Sequence, residues 1–115
     1  MKEVSYSPEA RQDLLILKSN LSFEYGEIIA KKILTKITKS IRMLGFHDNA
    51  GIDVSKSTGK ACDYKYFFTT KNYIFYRITG NNIRIIRVLN ERQDFMQILF
   101  GDNTTSKDSE DFWND

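Results

Sequence analysis

The feature that most restricts the fold is a run of β-prone residues in the second half of the chain. Three segments are rich in Tyr, Phe, Ile, Val and Thr, the residue types that favour strands: residues 63–70, 73–79 and 83–89. Gly80 and Asn81 separate the second segment from the third, and a two-residue Gly-Asn turn is a strong hairpin signal. The sequence therefore predicts a three-stranded antiparallel meander.

The turns of this meander determine which residues lie opposite each other. The first turn is predicted at Thr70, Lys71 and Asn72, and the second at Gly80 and Asn81. The second turn predicts four opposing pairs: Ile78 with Ile83 and Tyr76 with Ile85 on one face, Arg77 with Arg84 and Phe75 with Ile86 on the other. Both faces are partly apolar. One is expected to pack on helices, and the other to be covered by the C-terminal segment or by a partner.

Two amphipathic helices are predicted before the meander. Residues 2–6 are predicted to form a short strand, and Ser7 and Pro8 suit the N-cap and the first position of a helix that ends near 20–23. A second helix, at 23–44, has an apolar stripe at helical spacing: Ala30, Ile33, Leu34, Ile37, Ile41 and Leu44. Its polar side carries cations that either contact phosphates or remain solvated: Lys32, Lys36, Lys39 and Arg42.

The predicted fold class is α+β, with an N-terminal strand, a helical hairpin, an antiparallel β-meander packed on the helices and a short C-terminal helix. Residues 45–60 are predicted to be a loop with one short turn of helix. The last helix is expected at 94–100, with Gly101 as its stop. We expect one domain over residues 1–101, followed by an acidic, mobile tail over 102–115.

Charge and cysteine content indicate the broad class of protein. Residues 102–115 hold five acids and one lysine, so they carry −4, and the remaining 101 residues carry +6. A basic body suits an anionic partner such as nucleic acid or an acidic protein segment, but charge alone favours a solvated surface. The single cysteine, Cys62, fits a reducing cytoplasm, and no apolar run approaches the roughly 20 residues that span a bilayer. A cytoplasmic protein without a membrane partner is expected.

Several chemistries lack their motifs. The chain has no Gly-rich phosphate loop, no G-x-S-x-G elbow and no His/Cys cluster at metal spacing. Its one histidine, His47, falls in the predicted loop and is expected at the surface. We therefore expect no cofactor and no metal.

The order of predicted elements and several segments resemble the RelE/ParE toxin superfamily over residues 2–101. The resemblance rests on these segments: Tyr6-Ser7-Pro8-Glu9-Ala10 with Asp13-Leu14, Phe75-Tyr76-Arg77-Ile78, Ile83-Arg84-Ile85-Ile86-Arg87-Val88-Leu89, and Arg92-Gln93-Asp94-Phe95. It implies the toxin half of a type II toxin–antitoxin pair. RelE-like members cut mRNA in the ribosomal A site, whereas ParE-like members block DNA gyrase. Both kinds are neutralised by an antitoxin that wraps the toxin.

Two positions distinguish these branches. RNA cleavage needs a base, an acid and cations for the phosphate. RelE-like toxins often place an arginine where this chain has Ile74, and many members have a histidine where this chain has Asn90, which cannot exchange protons near neutral pH. The departures favour a ParE-like toxin that binds gyrase. The alternatives are a ribosome-dependent mRNA endonuclease, and an inactive member that binds only its antitoxin.

Candidate site residues follow from the same resemblance. The candidates for catalysis are Arg77, Arg84, Arg87, Arg92 and Tyr66, and those for binding are Lys65, Tyr64, Tyr76 and Phe95. Arginines on strands also commonly pair with acids, and Glu91 and Asp94 are available to Arg87 and Arg92. The expected partners are a cognate antitoxin and, as target, either DNA gyrase or the ribosome with mRNA.

Overall fold

A computed structural model describes residues 1–101 as an α+β fold, and the predicted tail at 102–115 lies outside the described residues. The elements in chain order are β1 (Glu3–Tyr6), α1 (Pro8–Tyr25), α2 (Glu27–Met43), β2 (Ile52–Asp53), α3 (Val54–Thr58), β3 (Lys65–Thr69), β4 (Asn72–Thr79), β5 (Asn82–Asn90) and α4 (Phe95–Phe100). The predicted fold class is confirmed. Within the described residues, no helix is long and apolar enough to cross a bilayer.

The sheet has five strands in the order β1-β5-β4-β3-β2. The predicted meander forms its centre, with β4 antiparallel to both β3 and β5. β1 is parallel to β5 because the α1–α2 hairpin carries the chain across one face before the meander begins. The strand β2 was not predicted, since two residues are too few to show alternation.

The register agrees with the prediction at three pairs and differs at one. Ile78 faces Ile83, Arg77 faces Arg84 and Tyr76 faces Ile85, as the Gly-Asn turn predicts. Phe75 instead faces Arg87, because the register shifts between Phe75 and Tyr76. Such a bulge inserts one extra residue into a strand and bends it. Beyond the bulge, the side chains of β5 therefore do not follow the simple alternation.

The turn between β3 and β4 is tighter than predicted. Thr69 pairs with Asn72, so the turn consists of Thr70 and Lys71 alone and Asn72 belongs to the strand. Both turn residues have positive φ, 46° and 63°, the conformation that a two-residue type I′ turn requires. The Asn72 side chain donates to the Thr70 carbonyl at 2.8 Å, which helps to hold the turn.

The helical hairpin starts as predicted and turns later than predicted. Ser7 Oγ accepts from the Ala10 N–H at 2.9 Å and donates to the Ile86 carbonyl at 2.7 Å, so the N-cap also ties α1 to β5. Residues 23–25 belong to α1 rather than to the second helix. The break falls at Gly26, whose φ of 86° is open to glycine and costly for other residues.

Two apolar clusters cover the two faces of the sheet. The larger lies under α1 and α2 and includes Ile37 and Ile41 against Ile74, Tyr76, Ile83 and Ile85. The smaller centres on Val54, Phe75 and Leu89, and α4 packs against it with Phe95, Ile98, Leu99 and Phe100. The second face is thus covered in part by the chain's own C-terminal segment, which is one of the two covers predicted for it. Gly101 ends α4 in the left-handed conformation, as predicted.

Candidate functional site

The sheet face turned away from α1 and α2, called the outer sheet face below, carries two of the predicted arginines side by side. Arg77 on β4 lies directly opposite Arg84 on β5. Nη2 of Arg77 is 3.1 Å from Oδ1 of Asp63, and its guanidinium carbon is 5.0 Å from the centroid of the Tyr64 ring. Nη1 of Arg84 donates to Ser5 Oγ at 3.4 Å. Like charges on opposing strand positions repel, and each guanidinium is held by a polar contact of its own.

The Arg77 guanidinium is held by one aromatic ring and one acid. The side chain of Asp63 is 66% exposed, and an ion pair to so exposed a carboxylate is worth little. The cation–π contact with Tyr64 is worth about 0.5–1 kcal/mol at such a site. Nε of Arg77 is buried and has no hydrogen-bond partner within residues 1–101. Arg77 and Arg84 thus place two positive charges on neighbouring strands of the outer sheet face.

Three other predicted residues belong to an aromatic cluster beside this arginine pair. The Phe95 ring centroid lies 5.3 Å from that of Phe75, and the Tyr66 centroid lies 5.9 Å from Phe75. The Tyr64 ring stacks on Phe100 at 6.2 Å. Asp94 Oδ1 accepts the N–H of Gln97 at 3.3 Å, a cap that starts α4 where Phe95 can reach the sheet. Tyr64, Tyr66 and Phe95 thus form a half-buried wall next to the arginines.

Arg87 points to the opposite side and pairs with an unpredicted acid. Its Nε donates to Oδ2 of Asp13 on α1 and its Nη2 donates to Oδ1 of the same residue, each at 2.8 Å. Oδ2 of Asp13 also accepts the Val88 N–H at 3.0 Å. These hydrogen bonds raise the pKa of Arg87 above its ordinary value. Neither predicted acid pairs with it: Glu91 is exposed and Asp94 caps α4.

Tyr76 and Lys65 also lie on the helix side of the sheet. The Tyr76 hydroxyl donates to the Asp48 carbonyl at 3.0 Å and accepts from the Gly51 N–H at 2.9 Å, and its burial raises its pKa. Lys65 Nζ donates to Asp53 Oδ1 at 2.7 Å, and this hydrogen bond holds the pKa of Asp53 below its ordinary value. Both residues therefore tie the 48–53 segment to the sheet.

A cleft opens where the C-terminal half of α1 leaves the sheet. Its main part measures about 680 Å³, and a smaller part of about 260 Å³ adjoins it. Polar side chains line the two parts: Asp13, Asn20, Glu24, Thr70, Lys71, Asn72, Asn90, Glu91, Arg92 and Gln93. Leu17 and Leu21 form an apolar wall shared by both. Arg92 lies exposed at the rim and forms no ion pair within the described part of the chain.

The polar side chains of the cleft include four amides, two exposed glutamates and one carboxylate that is held in an ion pair. Asn20, Asn72, Asn90 and Gln93 are amides, and the Asp13 carboxylate is already bonded to Arg87 and to the backbone. His47, the only histidine of the chain, lines a separate hollow beside β3. Within residues 1–101, no three His, Cys, Asp or Glu side chains are grouped so that they could hold a metal ion.

The structure thus divides the predicted site residues into three places. Five of them lie on the outer sheet face: Arg77, Arg84, Tyr64, Tyr66 and Phe95. Three lie on the helix side: Arg87, Tyr76 and Lys65. The last, Arg92, is at the cleft rim. The residue that sequence reasoning missed is Asp13. The sequence feature that could have identified it is its place on α1 beside Leu14 and Leu17, which pack against the core, and Asp13 is itself buried.

Comparison with known proteins gives one family and one fold. The sequence model of the ParE toxin of the type II toxin–antitoxin system parDE matches residues 4–95. No curated protein matches the chain in a sequence search.

Solved structures share the fold at low sequence identity. The chain is similar to a structure of the chromosomal ParDE toxin–antitoxin system from P. aeruginosa, with 17% identity, a TM-score of 0.67, and coverage of 78% of this chain and 96% of that one. It is also similar to a mutant of YafQ from E. coli (15%, TM-score 0.51) and to the E. coli DinJ–YafQ complex (14%, TM-score 0.52); each match covers 88% of this chain and 100% of the other. At these identities the likeness shows the fold alone.

Proposed function

Since this chain belongs to the ParE toxin family of type II toxin–antitoxin systems, we propose that it acts by binding DNA gyrase rather than by cutting RNA. The family makes it a toxin component, and its solved neighbours come from toxin–antitoxin systems. An antitoxin is accordingly its partner. The gyrase target and the residues that contact it are the proposal.

The observation that carries the proposal is the pairing of Arg87 with Asp13 beside a cleft lined by amides. RNA cleavage through the 2′-hydroxyl requires a group that removes a proton and another that donates one. Arg87 stays charged in its bidentate bond, and Asn90 cannot exchange protons. Tyr66 is packed against Tyr73 and Phe75. A toxin built in this way is better equipped to bind than to catalyse.

The contact surface that we propose is the outer sheet face at Arg77, Arg84 and Tyr64. Two guanidinium groups on neighbouring strands, with few internal acids, suit an acidic surface on the target. Arginine and an aromatic ring at the edge of a half-buried cluster form the kind of anchor that dominates protein interfaces. We propose that residues 1–101 are the toxin domain and that it acts in the cytoplasm, where gyrase works.

The second candidate is a ribosome-dependent mRNA endonuclease. It is favoured by the same surface, because arginine binds phosphate and tyrosine stacks on a base or donates a proton. Arg77, Arg84 and Tyr64 are within one patch. An inactive member that binds only its antitoxin would show neither activity.

Two assays with the purified protein separate these functions. The gyrase-binding toxin is expected to inhibit supercoiling of plasmid DNA and to leave mRNA intact in a translating extract. Arg84→Ala is expected to weaken the inhibition at least tenfold, whereas Arg11→Ala, an exposed cation on α1, is expected to leave it unchanged. Cleaved mRNA would exclude a toxin that acts by binding alone. If replacing Arg77 or Arg84 by alanine reduces neither supercoiling inhibition nor mRNA cleavage, this surface is not part of the site.

The antitoxin is proposed to cover the outer sheet face and the cleft beside α1. Phe23 and Ile16 flank the cleft at 95% and 50% exposure, a large apolar surface for an unbound protein. Hydrogen exchange of the free and the antitoxin-bound toxin tests this. Protection is expected to rise across residues 64–92, and unchanged exchange there would contradict the proposed docking surface.

A further inference from the structure

The helix α2 presents a row of basic side chains that the rest of the chain does not neutralise. All five are exposed: Lys31, Lys32, Lys36, Lys39 and Arg42. Glu27, in the first turn, is the only acid of the helix. None of the five forms an ion pair with any residue in the described part of the chain. Their charge is therefore free for a partner.

These side chains form one continuous strip, called the basic strip of α2 below. At 3.6 residues per turn, they lie within an arc of about 140°. The arc is centred opposite Ala30, Ile37 and Ile41, which are the residues of α2 buried in the core. From residue 31 to residue 42 the strip is about 16 Å long at 1.5 Å per residue. The strip therefore faces directly away from the sheet.

We propose that the basic strip of α2 binds the phosphate backbone of duplex DNA. The inference rests on the proposed function, because gyrase holds duplex DNA and a toxin bound to gyrase is brought beside it. Duplex DNA carries about one phosphate per 1.7 Å of helix axis when both strands are counted, so 16 Å of duplex carries about nine, of which about five face a protein on one side. Flexible lysine stems can reach these oxygens without base contacts, which makes the binding independent of sequence.

Two other anionic partners fit the strip less well. A helix that lies on a lipid surface needs a free apolar side, and the apolar side of α2 is buried, with Ile37 and Ile41 at 0% exposure. Single-stranded nucleic acid binds through aromatic platforms on which its bases stack. The exposed apolar residues along the arc are Ile28 and Met43, neither of which is aromatic. A regular row of duplex phosphates is the better complement.

The strip and the outer sheet face lie on opposite sides of the molecule. The sheet separates the helix layer, which contains α2, from Arg77 and Arg84. The same toxin molecule can therefore contact a protein with one side and DNA with the other. DNA binding and gyrase binding are then separable by mutation.

The test measures binding of the full-length toxin to a short labelled DNA duplex of arbitrary sequence by fluorescence anisotropy. Over about 50–200 mM KCl, five phosphate contacts give a slope of log K against log[KCl] near −4.5. Lys36→Gln with Lys39→Gln is expected to reduce the steepness by about 1.8 and to weaken binding roughly 30-fold near 0.15 M salt. The matched control, Arg11→Gln with Lys56→Gln, removes the same charge from exposed positions off α2 and is expected to change neither quantity.

Three results would overturn the inference, and a fourth would overturn the gyrase target instead. Equal losses in the two double variants would mean that net charge, and not the strip, governs binding. Tighter binding to duplex RNA or to vesicles of anionic phospholipid would assign the strip to another partner. A wild-type toxin that inhibits supercoiling but does not bind DNA would refute the strip alone. Binding through the strip without any inhibition would refute the gyrase target and leave the strip in place.

Discussion

The Arg87–Asp13 ion pair provides the sharpest test, because it gives Arg87 a structural role where the sequence suggested phosphate chemistry. Arg87→Met removes the guanidinium and keeps most of the apolar stem. The Asp13 carboxylate, whose side chain is 8% exposed, is then left with the Val88 N–H as its one remaining hydrogen-bond partner among residues 1–101. A charge that is buried and unpaired destabilises the folded state.

The size of the effect follows from the burial of the two partners. Removing one partner of a buried ion pair costs about 3–5 kcal/mol. Because the Arg87 side chain is 25% exposed, water compensates part of this loss, and we expect a decrease of about 2–4 kcal/mol in the free energy of unfolding. For a domain of this size, the decrease lowers Tm by roughly 10–25 °C.

A double variant shows whether stability is lost because the Asp13 charge is left unpaired or because the hydrogen bonds of Arg87 are missing. Arg87→Met combined with Asp13→Leu leaves neither charge buried, so most of the stability is expected to return. The Val88 N–H loses its acceptor in this variant, so recovery is expected to fall short by about 1 kcal/mol. Arg84→Met is the control, since its side-chain contact is a single 3.4 Å hydrogen bond to Ser5.

The free energy of unfolding of the wild type and the three variants is measured by urea titration at pH 7 with circular dichroism. Supercoiling inhibition by the same four proteins is measured in parallel. A structural role for Arg87 is contradicted if Arg87→Met unfolds at the wild-type urea concentration. If Arg87→Met unfolds at the wild-type urea concentration and yet no longer inhibits its target, Arg87 contacts the target and the ion pair with Asp13 is incidental.

Three further predictions concern stability. Ser7→Ala removes a cap that also bonds to β5 and is expected to cost about 1–2 kcal/mol in urea unfolding, whereas Ser19→Ala, an exposed position on α1, is expected to cost almost nothing. Tyr76→Phe removes both hydrogen bonds to the 48–51 loop; a loss of about 1–3 kcal/mol and faster amide exchange in that loop are expected, and unchanged exchange would contradict the assignment. Because the hydrogen bond from Lys65 lowers the pKa of Asp53, its stabilisation is present above the ordinary aspartate pKa of 3.8 and is lost as the pH falls below it. Urea unfolding at pH 6 and pH 3 should therefore show a smaller acid-induced loss in Asp53→Asn than in the wild type.

Features that act over a few residues could be read directly from the sequence. Ser7 with Pro8 begins a helix, Gly80 with Asn81 closes a hairpin, and Gly101 ends α4, because each depends on φ or on a cap within its own segment. The apolar stripe of α2 predicted its buried side in the same way, and with it the opposite, basic side. The order of these elements predicted the fold class, and that order together with several resembling segments indicated the family.

The candidate site was only partly predictable, because it depends on positions far apart in the chain. The residue types of the outer sheet face could be identified in advance, since Arg77 and Arg84 follow from a hairpin register that one short turn sets. The bulge beside Phe75 could not be predicted, because local composition does not reveal an inserted residue. Beyond that bulge, Arg87 meets an acid 74 positions earlier rather than either nearby acid.

By itself, then, the sequence determined most of the secondary elements and the two helix faces, because these follow from local backbone preferences and from hydrophobic periodicity. Membership of the toxin family was indicated by the resemblance of particular segments, and the family model shows it. Tertiary packing alone decided which arginines remain available. Asp13 holds Arg87 in a bidentate pair against α1, while Arg77 and Arg84 stay on the open face of the sheet. The physical reason is that the partner of a charge depends on which side chains folding brings within about 3 Å, and sequence separation does not limit that choice.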